Sequence, residues 1–357
     1  MKLALRLCLI FAACAAQPVL AQADQPVDQS EPFSDPAQDS FNAVAFGARD
    51  AGFSGEIGIA LLNRDGTQRL LFTSEGGPAP LPWASVTKQV IATMVMQQVE
   101  RGRITLDAPV ITYLPLPPAG DTPSPTIREL LQHRAGLRNP EGTDGDDTSF
   151  YRSGLSRPAA AQWCLTDRAA PPAQGWAYNN CDYIVLGAVL EAVTGEEMDR
   201  LLADYIFLPA RMKTARLVSP LDAPDPAQPE GLAGYGTSAA ITGNAEDMLR
   251  FSLALMQGRL LGEEAQAEMW RGDPQLGFMA LGQWVYDAPL NGCKAPQRIV
   301  ERRGGIGAFQ ALHVILPDQG RALILLGRAP ETDFGTIWAG QGLAYDLLSD
   351  LACTESQ

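Results

Sequence analysis

The chain has 357 residues, a formal net charge of −14 and 46 % hydrophobic residues. That acidity argues against nucleic acid or an anionic membrane surface as partner, since both are bound through basic patches. The length is ample for one large core or two interlocked lobes. At the N-terminus, Lys2 and Arg6 precede an apolar run from Leu7 to Ala16, and Ala21-Gln22-Ala23 offers an A-x-A cleavage site before Asp24. This is the form of a secretory signal peptide over residues 1–23, and the run is too short to span a bilayer. Phe11-Ala12-Ala13-Cys14 fits a lipoprotein box poorly, so a periplasmic or secreted protein with a cleaved signal is the expectation over a lipid anchor at Cys14.

Residues 24–40 are rich in Asp, Gln, Ser and Pro and read as a disordered leader, with a single domain over 41–352. Glu56 to Leu62 and Arg69 to Thr73 flank Arg64-Asp65-Gly66 and predict a β-hairpin. From Ser85 to Arg101 the apolar residues leave only a narrow polar stripe of Gln89, Thr93 and Gln97, which predicts a buried helix. Thr126 and Glu129 form a capping box for a helix from Ile127 to His133. Residues 139–150 read as an acidic loop. Helices are expected at Tyr183 to Val193, ended by Gly195, at Glu196 to Ile206 and at Ala245 to Met256. Strands follow at Val300 to Arg303, Gln310 to Leu316 and Ala322 to Leu326, and a last helix at Gly335 to Leu351. Strands at both ends with helices between predict an α/β (α+β) fold. One antiparallel sheet is built from the N-terminal hairpin and the C-terminal strands, is flanked by helices, and carries an inserted helical lobe at about 85–255.

Four cysteines remain beyond the leader, and none forms a C-x-x-C pair, so zinc and thioredoxin-like chemistry lack support. The even count in an exported chain points to disulfides. Cys164 and Cys181 bracket a Pro-rich loop and are expected to pair, while the state of Cys293 and Cys353 is left open.

Only two histidines are present, and no G-x-S-x-G elbow. His313 lies in an apolar strand and reads as a satisfied core residue; His133 ends a short helix and reads as a cap. A serine nucleophile therefore needs another base. Ser85-Val86-Thr87-Lys88 is an S-x-x-K at the start of the buried helix. The i, i+3 spacing puts both side chains on one face. The helix N-terminus favours an oxyanion, and burial lowers the lysine toward a usable base. A second element, Tyr178-Asn179-Asn180, offers a phenol and an amide that project to the same side of an extended stretch. A third, Arg303-Gly304-Gly305-Ile306-Gly307, ends a strand. Glycines there admit a substrate backbone and the cation suits a carboxylate or a phenolate.

These three elements, in this order, resemble the S-x-x-K, Y-x-N and K-T-G (or H-x-G) of class C β-lactamases, D-Ala-D-Ala carboxypeptidases and related esterases. The stretch Thr126 to Leu137 resembles the family's helix ending in H-x-S-G-L, and Ala245-Glu246-Asp247-Met248 its T-A-E-D-M. The resemblance covers about residues 50–350. It implies an acyl-enzyme mechanism on an amide or ester: a D-Ala-D-Ala-type peptide, a β-lactam or a small ester. In it Ser85 attacks, Lys88 and Tyr178 handle its proton, and the N–H groups of Ser85 and Ile306 form the oxyanion hole. Asn180 orients Lys88 and substrate, and Arg303 with Gly304 and Gly305 binds the substrate's negative group. No metal or cofactor is implied, and a monomer is expected. Arg303 departs from the usual Lys or His and cannot shuttle a proton. The competing readings are a non-catalytic penicillin-binding sensor and an esterase for lipophilic esters.

Overall fold

The computed structural model describes residues 35–73, 80–115, 123–141, 149–166, 175–222, 228–330 and 332–353. The expected signal peptide at 1–23, most of the expected leader and residues 142–148 of the expected acidic loop at 139–150 lie outside them. Among the described residues nine strands are present: β1 Glu56–Leu62, β2 Gln68–Thr73, β3 Leu81–Pro82, β4 Arg216–Leu217, β5 Ile241–Gly243, β6 Trp284–Ala288, β7 Gln297–Ile306, β8 Phe309–Leu316 and β9 Arg321–Arg328. The α-helices are α1 Pro36–Asp50, α2 Thr87–Glu100, α3 Ile127–Leu131, α4 Ser149–Arg152, α5 Arg157–Leu165, α6 Asn180–Thr194, α7 Met198–Leu202, α8 Leu208–Ala210, α9 Ala245–Met256, α10 Glu263–Met269 and α11 Leu343–Ala352.

The main sheet is antiparallel throughout, in the order β2-β1-β9-β8-β7-β6, so the N-terminal hairpin completes the C-terminal strands. Helices cover both faces, and β1 and β9 show it as near-continuous buried runs whose alternate residues turn to opposite faces. Leu323 and Leu325 of β9 join Ile57, Ile59 and Leu61 under α1 and α11, while Ala322, Ile324 and Leu326 face the helical lobe. A small second sheet, β3-β5-β4, ties the entry to α2 to the start of α9.

Two expected boundaries are corrected. The leader was placed at 24–40, but α1 begins at Pro36. Its Phe41, Val44 and Ala48 recur at helical spacing and pack with Leu347, Leu348 and Leu351 of α11, a stripe hidden inside a polar segment. The last helix was expected from Gly335 but begins at Leu343, because Gly335, Gly340 and Gly342 all take positive φ, which a helix cannot continue through. The capping box at Thr126 and Glu129 forms, and α6 ends on left-handed Gly195. Cys164 of α5 and Cys181 of α6 pair as a disulfide with Cα atoms 5.4 Å apart, and Cys293 pairs with Cys353 at 5.2 Å.

Candidate active site

Ser85 sits in a tight turn, Ala84–Val86, that runs directly into α2. Ala84 before it has φ +46, a strained value for a residue with a side chain. Gly304 of β7 crosses this turn so closely that a Cβ there would lie 2.5 Å from Trp83 O and 2.9 Å from Ser85 N. Only glycine fits, and β7 is thereby pressed against the serine.

One helical turn on, Lys88 is fully buried. Its Nζ donates to Asn180 Oδ1 at 2.7 Å, to Ser238 O at 3.0 Å and to Ser85 Oγ at 3.2 Å. Tyr178 Oη lies 2.5 Å from Ser85 Oγ. Burial drives the Lys88 pKa down to about 8, with Arg302 adding to the fall and Tyr178 opposing it. Burial alone would raise Tyr178, but the charges of Lys88 and Arg302 outweigh it and bring the phenol down to about 8. Two groups that ordinarily titrate far above neutrality thus share a proton near physiological pH, as a coupled pair.

Asn180 opens α6, whose N-cap Asn179 accepts from Cys181 N and donates to Leu137 O, locking the loop that carries Tyr178. The Cys164–Cys181 bridge pins the same turn. Asn180 Nδ2 donates to Glu141 Oε1 at 2.8 Å and contacts Tyr151 Oη at 3.0 Å. Beneath Tyr178, His133 lies with ring centroids 4.6 Å apart; it is buried, hydrogen-bonded to Asp182 at 2.8 Å, and held well below its usual pKa by desolvation. It supports the phenol and does not touch Ser85 Oγ.

The cation at Tyr178 is Arg302, one residue before the expected Arg303. Arg302 is fully buried, with Nε donating to Ser85 O at 3.1 Å and Nη2 to Tyr178 Oη at 3.3 Å. Side chains alternate along β7, so Arg302 and Gly304 face Ser85. Arg303 points away and is held by Glu301 at 2.5 Å and Gly335 O at 2.7 Å, lining the cleft only from its rim. The missed signal was spacing: K-T-G puts its cation two residues before glycine, and Arg302-Arg303-Gly304 satisfies that.

Ile306 is displaced from its expected place by the same parity. Val285 of β6 donates to Phe278 O, so its backbone turns away from β7, and so does that of its partner Val300. Register is unbroken from Val300 to Ile306, so the even residues of this stretch turn toward β8; Ile306 pairs with Phe309 across a two-residue turn. The N–H facing the open edge beyond Trp284 is that of Gly305, where a Cβ would meet nothing within 4 Å.

Ser85, Tyr178, Asn180, Arg302 and Gly305 line one cleft of about 600 Å³, and Glu141, bonded to Asn180, lines it too. Among the described residues no cluster of His, Cys, Asp and Glu could hold a metal ion. A family model described as Beta-lactamase matches residues 77–344. The chain belongs to the Beta-lactamase family. As a member it is a serine hydrolase of a fold family acting on amides and esters. It is 26 % identical over 391 residues to the D-alanyl-D-alanine-carboxypeptidase/endopeptidase AmpH of Escherichia coli K12, covering 96 % of each chain. To the putative penicillin-binding protein PbpX of Bacillus subtilis it is 28 % identical over 206 residues, 52 % of this chain and about half (49 %) of that one. Its fold matches a D-stereospecific amidohydrolase from Streptomyces at a TM-score of 0.66, with 21 % identity, covering 90 % of this chain and 100 % of that one. No helix of the described residues is long and apolar enough to cross a membrane.

Proposed function

We propose that this Beta-lactamase family member is an exported acyl-transfer hydrolase with Ser85 as nucleophile and the Lys88–Tyr178 pair as its base. The carrying observation is the contact of Ser85 Oγ with both Tyr178 Oη and Lys88 Nζ, in a site that brings each partner's pKa down to about 8. The Ser85 proton passes to this pair as Oγ bonds to the substrate carbonyl carbon. The electron pair moved onto the carbonyl oxygen is met by the N–H groups of Ser85 and Gly305. Collapse expels the amine or alcohol, which takes the proton back from Tyr178, and water then releases the acyl group by the reverse steps. Asn180 holds Lys88, and Arg302 favours the phenolate but cannot itself give up a proton.

The cleft is lined by a carboxylate, Glu141, as well as by the cations Arg302 and Arg303 of β7. That polarity suits a small amide with both an amine and a carboxylate, such as a short peptide, and AmpH is named for peptides ending in D-Ala-D-Ala. Export is supported by the signal-like N-terminus and by the two cysteine pairs.

Intact-protein mass spectrometry after a fluorophosphonate probe and after a penicillin is the test. One adduct on the Ser85 peptide, absent from Ser85→Ala, is expected. Labelling that persists on another serine removes the assignment.

A further inference from the structure

A second cavity, of about 740 Å³, adjoins this cleft at the edge of the main sheet. Trp284 and Arg303 line both spaces. Its walls are aromatic: Trp176, Phe278, Trp284, Tyr286 and Trp338. The chain is only 7 % aromatic and holds six tryptophans, so three of them in one wall is a marked concentration. Core packing does not account for it, because Trp338 is 70 % exposed and Phe278 44 % exposed. Rings left at the surface beside a recess are a signature of a binding site.

Phe278 supplies an independent observation. Its φ is +64, a conformation that a bulky side chain rarely adopts. The backbone is held there by Phe278 N donating to Asp273 O and by Val285 N donating to Phe278 O. The strain falls on the residue whose ring forms the exposed lip, and such strain clusters at ligand clamps. Inside the recess the Glu301 carboxylate is taken by Arg303 and Tyr286, so Glu301 presents no unpaired charge there to select an ion.

We propose that this recess is a subsite for a planar apolar ring, an aryl substituent on the leaving group of the ester or amide. The proposal rests on the acyl-transfer reading of Ser85. Tyr178 returns the proton to the leaving atom, so the leaving group lies beside Tyr178. Trp176 stands two residues earlier in the same extended stretch, and the Arg302 guanidinium stacks over both the Tyr178 ring, at 5.4 Å, and the Trp284 ring, at 5.2 Å. Trp284, which lines both spaces, joins the cleft at Tyr178 to the recess. The recess has room for more than one ring, so a biaryl or fused bicyclic group is the occupant chosen.

Phenyl acetate and 4-phenylphenyl acetate share an acyl group and differ mainly in leaving-group size. The protein should favour the larger ester by roughly tenfold in kcat/KM, the gain of burying one more ring. Trp338→Ala and Phe278→Ala should bring the ratio to within about twofold of unity. In Ser85→Ala, 4-phenylphenol binding by calorimetry should weaken roughly tenfold when Trp338→Ala is added. A ratio near one in the unaltered protein, or one unchanged in both variants, overturns the subsite. So does a Trp338→Ala variant that turns an oligomer into a monomer at constant ratio, since the rings would then join copies of the chain. If neither ester is turned over but 4-phenylphenol binds through Trp338, the recess stands and the hydrolase reading falls.

Discussion

Two buried polar clusters grow from adjacent residues of one helix. Lys88 of α2 faces Ser85, Tyr178 and the cleft, while Gln89 faces the sheet and accepts from His313 at 2.5 Å, with Ser252 2.7 Å from the other ring nitrogen. Both bases are fully buried. His313 is pushed down to about 3 by desolvation alone, so it is neutral near physiological pH. Lys88 falls only to about 8, because the Tyr178 phenolate gives part of the lost solvation back. Burial by itself silences a base. Burial combined with a coupled phenol, a nearby cation and an open cleft leaves one poised to move a proton.

The largest expected effect is at Lys88. Lys88→Ala should lower kcat/KM about a thousandfold or more, as removal of a general base does. A steady-state assay that finds less than about tenfold loss would make Lys88 as passive as His313.

His313→Ala is the counterpart. It leaves Gln89 Oε1 without its partner and Ser252 Oγ with Met248 O alone in a dry core, and should cost about 2–4 kcal/mol in urea unfolding. Its kcat/KM should stay within about threefold. A fall like that of Lys88→Ala would show the two clusters to be one network.

Next come the neighbouring arginines. Arg302→Ala loses a charge-assisted bond to Tyr178, worth about 1.5–3 kcal/mol, or roughly 10- to 150-fold in kcat/KM for every substrate. The pH profile sharpens this. The base form appears as the pair loses its proton, so kcat/KM should climb through an apparent pKa of about 8 and level off above it. Arg302 lowers both members of the pair, so its removal should move the limb to higher pH. A limb that stays in place would mean that Arg302 only packs.

Arg303→Ala is the smallest effect. It should change phenyl acetate turnover by less than about twofold, well under one hydrogen bond. A loss equal to that of Arg302→Ala would restore Arg303 as the site cation.

The residues by themselves determined what local physics encodes. The capping box at Thr126, the glycine stop at Gly195, the hairpin around Asp65-Gly66 and the apolar period of α2 all lie within a few residues of the structure they specify. The motif spacing likewise singled out Ser85, Lys88, Tyr178 and Asn180, which the fold brings within hydrogen-bonding reach of one another. Tertiary structure alone decided the rest. Whether Gly305 or Ile306 presents a free N–H depends on strand parity, which is fixed by where β6 stops and how β8 pairs, and the same parity turns toward Tyr178 the Arg302 that the motif spacing already offered. Glu141 and Ser238 O enter the site from segments with no motif of their own. The stripe on α1 is invisible in a polar segment until the sheet and α11 supply the surface it covers. Contacts of that kind join residues distant in the chain, and no window of sequence contains both partners.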